Sequence, residues 1–235
     1  MNREKCCILV PSRDGIDQSV EKALHELARR GYRLMIMRGV TSIDQIRSQM
    51  ATDALKAGFE ELFWIDDDVL FDPDDVDRLR EHDLLPIVGG VYPWKGKPQL
   101  AVHWLEGTKS VVLGTSGGIV EVKYAATGFL LTRAEVYEKL RRTTFCTPGQ
   151  PTHCREVVGQ FDRMMYPFFQ PMVLEDGAVD RYLAEDWAFF HRARDSGFKV
   201  HVDTRIRLYH VGRYAYSWED LAPRDRVDSA VVHLG

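Results

Sequence analysis

The sequence WIDDDVLF (residues 64–71) places three consecutive carboxylates directly after an apolar run. The apolar residues that begin at Leu62 predict a buried strand that ends at Asp66. Adjacent carboxylates repel one another, and burying one without a partner is costly. A divalent cation resolves this conflict, because Mg²⁺ and Mn²⁺ prefer oxygen ligands. The alternative is a solvated acidic turn before the next helix, where carboxylates favour the positive end of the helix dipole.

The segments around this strand alternate between strand and helix patterns. Asp72 followed by Pro73 is typical of a helix start, and Ser42 with Gln45 predicts a capping box. The predicted strands are 6–11, 32–37 and 62–66, and the predicted helices are 18–30, 42–57 and 73–80. Strands joined by helices of this length predict an α/β fold, with a mostly parallel sheet flanked by helices.

The second half of the chain is less regular. Thr132 with Glu135 predicts a second capping box. Extended segments are predicted at 85–92, 101–104, 110–113, 119–122, 128–131, 198–202 and 208–211, and a helix at 186–195. Residues 143–180 contain four prolines and read as a long loop, which in a compact domain is functional or mobile.

Composition excludes several classes of protein. The net charge is −4, so nothing argues for a general nucleic-acid or membrane-surface binder, and the 45% of hydrophobic residues is typical of a globular protein. The N-terminal apolar run has only five residues, Cys6 to Val10, too few for a signal peptide or a membrane span. We therefore expect a soluble, cytoplasmic protein. Cys146 and Cys154 flank a loop that also holds His153, so a disulfide or a metal clip is an alternative to reduced thiols there.

Two groups of polar residues follow predicted strands. Ligands of parallel α/β sheets bind beyond the carboxyl ends of the strands. The residues at these ends are Pro11, Ser12, Arg13 and Asp14 after the first strand and Asp66, Asp67 and Asp68 after the third. We expect both groups to line one crevice.

Two later signals are compatible with catalysis. Glu185 and Asp186 open a predicted helix, and a carboxylate there can accept a proton from a reacting hydroxyl. The alternative is an acidic first helical turn. His210 lies in an apolar segment, where it is either a metal ligand or a structural side chain.

Together these segments resemble a known family. In order along the chain they are PSRD at 11–14, Arg47, WIDDD at 64–68, IVGGVYP at 87–93, ATGFLLTR at 126–133, EDWAFFHRARDSGFKV at 185–200 and LYHVG at 208–212. This order resembles the GT-A glycosyltransferases, and among them the family 2-like group. The resemblance implies a Rossmann-like GT-A fold in a single domain of residues 1–235. It also implies a donor-binding half at about 1–95, an acceptor-side and catalytic half at about 96–212 and a short tail at 213–235.

The resemblance also implies an activity. The chain would be a hexosyltransferase that moves a sugar from a nucleotide-diphosphate donor, a UDP- or GDP-sugar, to a hydroxyl acceptor with inversion. Asp66 and Asp68 would form the DxD pair and, with His210, hold Mn²⁺ or Mg²⁺. Asp186 would be the general base, with Glu185 beside it.

The resemblance further assigns the binding residues. The donor would contact Pro11, Ser12, Arg13, Asp14, Arg47, Asp66 and Asp67, although Asp67 has no separate role. The acceptor would contact the aromatic side chains Trp187, Tyr92 and Trp94, whose faces suit sugar rings. The aromatic tail, with Tyr214, Tyr216 and Trp218, would be a lid, a contact between copies of the chain, or ordinary packing.

Three alternatives stay open. A sugar-nucleotidyltransferase would bind a similar diphosphate, but it usually has a glycine-rich loop after the first strand, where this chain has only Gly15. A non-catalytic nucleotide-sugar-binding module would use the same carboxylates. A retaining reaction would differ only in the face of the sugar that is attacked.

Overall fold

The computed structural model describes residues 2–39, 41–97, 99–147, 150–154, 156–175, 177, 179–212, 214–221 and 228–233. For residues 146, 147, 150–154 and 221 it describes the backbone alone. The α-helices are α1 (Gln18–Arg29), α2 (Ile43–Lys56), α3 (Pro73–Arg80), α4 (Ala134–Leu140) and α5 (Glu185–Asp195). Short 3₁₀ turns lie at Arg3–Lys5 and Trp218–Leu221, and a π-helical turn lies at Arg141–Phe145.

The strands divide into one large sheet and several small ones. Those of the first half are β1 (Cys6–Pro11), β2 (Arg33–Met37), β3 (Glu61–Ile65), β4 (Val69–Leu70), β5 (Ile87–Gly89), β6 (His103–Trp104), β7 (Ser110–Gly114) and β8 (Ile119–Tyr124). Then follow β9 (Phe129–Arg133), β10 (Cys146–Thr147), β11 (Gln150–Cys154), β12 (Val157–Val158), β13 (Met164–Met165), β14 (Met172–Leu174) and β15 (Arg181–Leu183). The last are β16 (Val200–Asp203), β17 (Tyr209–Val211), β18 (Ala215–Tyr216) and β19 (Ser229–His233).

The large sheet has eight strands in the order β2-β1-β3-β9-β5-β16-β8-β6. Six of these strands run in one direction, and β8 and β9 run against their neighbours. Helices α2, α4 and α5 contribute apolar residues to the core on one face, and α1 and α3 to the core on the other. The predicted α/β architecture, a mostly parallel sheet flanked by helices, is therefore confirmed. The division into donor-side and acceptor-side halves stays a prediction.

Residues 143–180 differ from the predicted loop. This stretch and the three residues of β15 after it contain three two-stranded antiparallel ribbons, β10–β11, β12–β13 and β14–β15. These strands have two to five residues each, too few for a clear apolar alternation in sequence. In the first ribbon Cys146 lies opposite Cys154. Because the side chains there, including that of His153, lie outside the described part, the disulfide and metal-clip predictions are not tested.

The helix starts correct two predictions and confirm one. Asp72 caps α3, since its carboxylate accepts from the Asp74 amide at 2.9 Å and Pro73 is the first helical residue. Ser42 is at the start of α2, but its hydroxyl bonds to the Asp44 carboxylate, so no capping box forms. Thr132 lies within β9 and donates to the Leu62 carbonyl at 3.1 Å, which excludes it as a cap for α4.

The chain after β17 contributes partly to packing. Trp218 is only 1% exposed and belongs to the core, whereas Tyr214 is exposed. Among the described residues, no helix combines the length and the apolarity that crossing a bilayer requires.

Candidate functional site

A pocket of about 360 Å³ lies at the carboxyl ends of β1 and β3, and we call it the carboxylate pocket. Its lining residues are Pro11, Ser12, Arg13, Thr41, Ile43, Arg47, Asp66, Asp67, Asp68 and Glu185. Asp14 is exposed and does not line it. Thr41 and Ile43 were not foreseen, because the loop before α2 carries no motif that marks a site.

The topology explains why these residues meet. Strands β1 and β3 are adjacent and parallel, so the segments that follow them leave the same edge of the sheet. Strand β17 pairs with β4 directly after the acidic cluster, with His210 opposite Val69. The Val211 amide donates to the Asp68 carbonyl at 2.7 Å. A residue 142 positions later in sequence, His210, is thereby held beside Asp68.

Arg47 is the buried cation of the carboxylate pocket. It is 3% exposed, and its Nη2 donates to Asp66 Oδ1 at 2.7 Å, while its Nε lies 3.9 Å from Glu185 Oε1. Burial alone would lower its pKa, but the nearby Asp66 and Glu185 charges raise it. Its Nε and Nη1 have no hydrogen-bond partner among the described residues. Since buried donors rarely stay unpaired, they suit an acceptor oxygen of a bound anion.

Asp68 faces two cationic or potentially cationic side chains. Lys95 forms an ion pair with Asp68 Oδ2, and His210 Nε2 lies 3.5 Å from Asp68 Oδ1. Burial alone would raise the pKa of Asp68, but His210 and Lys95 hold it below its ordinary value. Lys95 was not predicted from the sequence. Its position next to Trp94 was the only indication that it could lie near the site.

The orientation of His210 is set by a carbonyl. His210 Nδ1 lies 3.0 Å from the Pro93 carbonyl, which can only accept, so Nδ1 carries the hydrogen. In the neutral ring Nε2 then holds a lone pair, and this lone pair faces the Asp68 carboxylate. The Nε2 lone pair and the carboxylate oxygen repel each other unless a proton or another cation lies between them. Histidine metal ligands are oriented in this way by an outer hydrogen bond.

Asp67 lines the pocket and contacts the loop that follows β1. Burial raises its pKa, and the Ser12 hydroxyl and the Arg13 amide oppose part of that rise. The Asp17 amide donates to the Asp67 carbonyl at 2.9 Å. Asp67 therefore connects the acidic loop to the loop after β1, a role that its sequence position did not reveal.

Tyr92 lies behind Asp66 and is buried. The Gly128 amide donates to its hydroxyl at 3.0 Å, and its ring packs edge-on against His210 with centroids 5.2 Å apart. Burial raises the pKa of Tyr92 well above its ordinary value. With 4% of its surface exposed, Tyr92 offers no open ring face to an acceptor.

Asp186 begins α5 beside Glu185. Burial, followed by the neighbouring Glu185 charge, raises the pKa of Asp186 to about 6. Its Oδ1 accepts from the Trp187 amide at 2.7 Å. The Trp187 ring packs against His103 and Tyr124, with centroids 5.3 and 5.5 Å apart, so it is partly used in packing. A carboxyl with a pKa near 6 is suited to general-base chemistry at neutral pH.

Trp94 is the most accessible of the predicted acceptor residues. Its side chain is 46% exposed, and Lys97 Nζ lies 5.5 Å from its ring centroid. It directly precedes Lys95, the ion-pair partner of Asp68. An exposed aromatic ring therefore lies on the same short loop as a residue of the site.

The side chains that could coordinate a metal ion suit a cation that is also coordinated by a bound ligand. No group of three His, Cys, Asp or Glu side chains comes together for a metal within the described ranges. Asp66 is engaged by Arg47, which leaves Asp68 and His210 as the paired donors. Mg²⁺ is usually held by one or two carboxylates together with substrate phosphates. Asp68 and His210 match that pattern and not that of a closed protein cage.

Three solved structures are similar to this chain to different degrees. A197 from STIV is 15% identical, with a TM-score of 0.55, and the match covers 94% of this chain and 98% of that one. A glycosyltransferase involved in the glycosylation of the major capsid of PBCV-1 is 13% identical, with a TM-score of 0.32 and coverage of 56% and 62%. The inositol-1-phosphate CTP transferase from T. maritima is 12% identical, with a TM-score of 0.43 and coverage of 89% and 90%.

At these identities the first match shows the fold alone, and the TM-scores of the other two, 0.32 and 0.43, are too low to support an argument. No family model matches the chain, and no curated protein matches its sequence. The chain thus shares its α/β fold over nearly its whole length with A197 from STIV.

Proposed function

We propose that the chain is a metal-dependent glycosyltransferase that moves a sugar from a nucleotide-diphosphate donor to a hydroxyl acceptor, with inversion. The observation that carries this proposal is the convergence of Arg47, Asp66, Asp68 and Glu185 on one pocket at the strand ends. This pocket combines a buried cation, two of whose donors have no partner among the described residues, with an Asp68 carboxylate that Lys95 and His210 keep ionised.

The donor would lie along the carboxylate pocket. Pro11, Ser12, Arg13 and Ile43 line the side that would receive the nucleoside. The unpaired Nε and Nη1 of Arg47 would donate to diphosphate oxygens, and Asp66 would keep Arg47 in place. A UDP- or GDP-sugar is the donor class that we propose.

Asp68 and His210 would hold Mn²⁺ or Mg²⁺ together with the diphosphate. When bound, the ion neutralises negative charge on the leaving diphosphate. Pro93 orients His210 so that Nε2 points at Asp68. Asp66 would contribute through Arg47 and not as a direct ligand, because its Oδ1 already accepts from that guanidinium.

Asp186 would be the general base. Its raised pKa, about 6, leaves it mostly ionised at neutral pH and able to accept a proton from the acceptor hydroxyl. Glu185 would add negative charge beside it, and the exposed ring of Trp94 would contact the acceptor sugar. Trp187 would be a second, partly packed contact, and Tyr92 would support Asp66 from behind.

Thermal unfolding with nucleotide sugars tests the donor site. We expect a UDP- or GDP-sugar to raise the unfolding temperature in the presence of Mn²⁺ and to lose this effect in EDTA, because a ligand stabilises by mass action. Asp68→Ala should remove the Mn²⁺-dependent part. Asp83→Ala, an exposed position outside the pocket, should behave as wild type. If Asp68→Ala keeps the full Mn²⁺-dependent shift, the metal site is wrongly assigned.

Asp186→Asn separates transfer from binding. We expect this variant to bind the nucleotide sugar with Mn²⁺ as wild type does, and to lose transfer by at least a hundredfold. A non-catalytic binding module would show no transfer in either protein. A sugar-nucleotidyltransferase would instead release pyrophosphate from a nucleoside triphosphate and a sugar phosphate. Product analysis by NMR distinguishes these outcomes and gives the anomeric configuration.

A further inference from the structure

A second cavity, of about 520 Å³, lies beside the carboxylate pocket, and we call it the Arg192 cavity. Residues of α2, of α5, of the π-helical turn and of the chain between 157 and 170 form its walls. Asp44, Gln45 and Ser48 of α2 line the Arg192 cavity, while Ile43 and Arg47 of the same helix line the carboxylate pocket. None of the residues predicted for donor, acceptor or metal lines the Arg192 cavity.

Arg192 brings a charge without a counter-charge into this cavity. Its side chain is partly buried, and its Nη1 makes a long hydrogen bond, 3.4 Å, to the Phe168 carbonyl. No carboxylate lies within ion-pair distance of it among the described residues. Burial lowers its pKa to about 10, and no neighbouring anion opposes this.

The two arginines that are buried among the described residues, Arg47 and Arg80, behave differently. Arg47 pairs with Asp66 at 2.7 Å, and Arg80 pairs with Glu61 at 2.5 Å. In both, neighbouring groups raise the pKa despite burial. Because partial burial of a charge without a partner is costly, the guanidinium of Arg192 favours an anionic ligand.

The residues that line the Arg192 cavity indicate the chemistry of the rest of such a ligand. Phe145, Val157, Met165 and Pro167 supply apolar surface. Gln45 and Gln170 add polar groups, although the Gln45 carbonyl already accepts from the Gln160 amide at 2.9 Å. The Asp44 carboxylate also lines the cavity, where the Ser42 hydroxyl binds it. The planar guanidinium of an arginine can donate two parallel hydrogen bonds to a carboxylate or to a phosphate, and the geometry of the two pairs is similar.

We propose that the Arg192 cavity binds a small molecule with an anionic group, a carboxylate or a phosphate monoester, on an apolar body, with Arg192 as the counter-charge. This site is separate from the proposed donor site and does not depend on it. Arg192 is a binding residue in this proposal and takes no part in transfer.

Isothermal titration calorimetry in EDTA tests the site with three probes: phenyl phosphate, benzoate and neutral benzyl alcohol. We expect at least one anionic probe to bind wild type ten times more tightly than benzyl alcohol. The tighter of the two anions identifies the head group. Arg192→Met should weaken this binding at least tenfold. Arg194→Met is the matched control, since Arg194 lies on the same helix but contacts Glu121 and the Val122 carbonyl.

Thermal unfolding without ligand gives an independent readout. Arg192→Met should unfold at a temperature equal to or above that of wild type, because it removes an uncompensated charge, whereas Arg194→Met should not be stabilised. If Arg192→Met does not fold, Arg192→Gln takes its place in the titrations. Anion binding that survives loss of the Arg192 charge, or anions that bind no better than benzyl alcohol, would overturn the proposal. Failure of nucleotide-sugar binding in wild type would leave these results unaffected.

Discussion

Asp68 pairs with Lys95 at the place where we propose that a metal ion binds. Its Oδ2 is paired with Lys95, and its Oδ1 faces His210. The proposed metal ion would need the same carboxylate, so the Lys95 ammonium has to move or share it. Lys95 is partly exposed, and its ion pair with Asp68 is therefore weak enough for an ion to displace.

The variant Lys95→Met tests this competition. We expect it to bind Mn²⁺ about three to ten times more tightly than wild type in the absence of nucleotide, since the competing charge is gone. Electron paramagnetic resonance of free Mn²⁺ measures the affinity directly. Lys97→Met is the matched control, because Lys97 lies over the Trp94 ring. Equal Mn²⁺ affinity in wild type and Lys95→Met would show that Lys95 does not compete.

At the scale of elements, the start of β9 lies against the end of β3. The Asp66 amide donates to the Gly128 carbonyl at 3.0 Å. A Cβ on Gly128 would lie 2.3 Å from the Tyr92 hydroxyl and 2.9 Å from Asp66 Oδ2. These contacts are too close for any side chain, so the antiparallel strand approaches the acidic loop only because residue 128 is glycine.

Gly128→Ala should therefore disturb both the fold and the site. We expect a loss of about 1–3 kcal/mol in the free energy of unfolding, measured in urea, because the added methyl group displaces Tyr92 and Asp66. Mn²⁺-dependent nucleotide binding should weaken in parallel. Gly118→Ala is the control, since its Cβ would meet no atom within 4 Å. A Gly128→Ala protein as stable as Gly118→Ala would contradict the proposed close approach.

The helix starts explain how local patterns mislead. Asp72 caps α3 as predicted, because the cap bond joins atoms two residues apart. Ser42 and Thr132 have the same residue types as true caps, yet their hydroxyls bond to Asp44 and to the Leu62 carbonyl. The hydroxyls form these hydrogen bonds instead of capping the first turn of a helix, and the residue types of a capping motif do not show which hydrogen bond will form.

On the scale of the whole molecule, Asp186 couples stability to pH. Its folded-state pKa of about 6 exceeds the ordinary value of 3.8, so the folded chain binds this proton more tightly than the unfolded chain does. The stability from this group is complete below about pH 3.8 and is lost as the pH rises through about 6. At neutral pH the ionised carboxylate therefore destabilises the fold.

Asp186→Asn should be more stable than wild type above pH 6 and should lose this advantage below pH 4. The expected difference at pH 8 is on the order of 2 kcal/mol. Urea unfolding at several pH values measures it, with the exposed Asp83→Asn as the control. In wild type, kcat/KM for transfer should fall as the pH drops through about 6, when the base becomes protonated. A stability difference that does not change with pH would refute the burial of this charge.

Local sequence patterns predict the strands and helices of the first half of the chain and the edge of the sheet at which the pocket lies. Apolar runs and helical periodicity are local, and parallel strands deliver their carboxyl ends to one edge, so Asp66–Asp68 and Pro11–Arg13 could be expected to meet. The ion-pair partners of the charged residues became visible only in the tertiary structure. Asp66 is bound by Arg47, Asp68 by Lys95, and Arg192 faces a cavity without a counter-charge. Such pairs join residues that are distant in sequence, and their geometry depends on how whole elements pack, which no local pattern specifies.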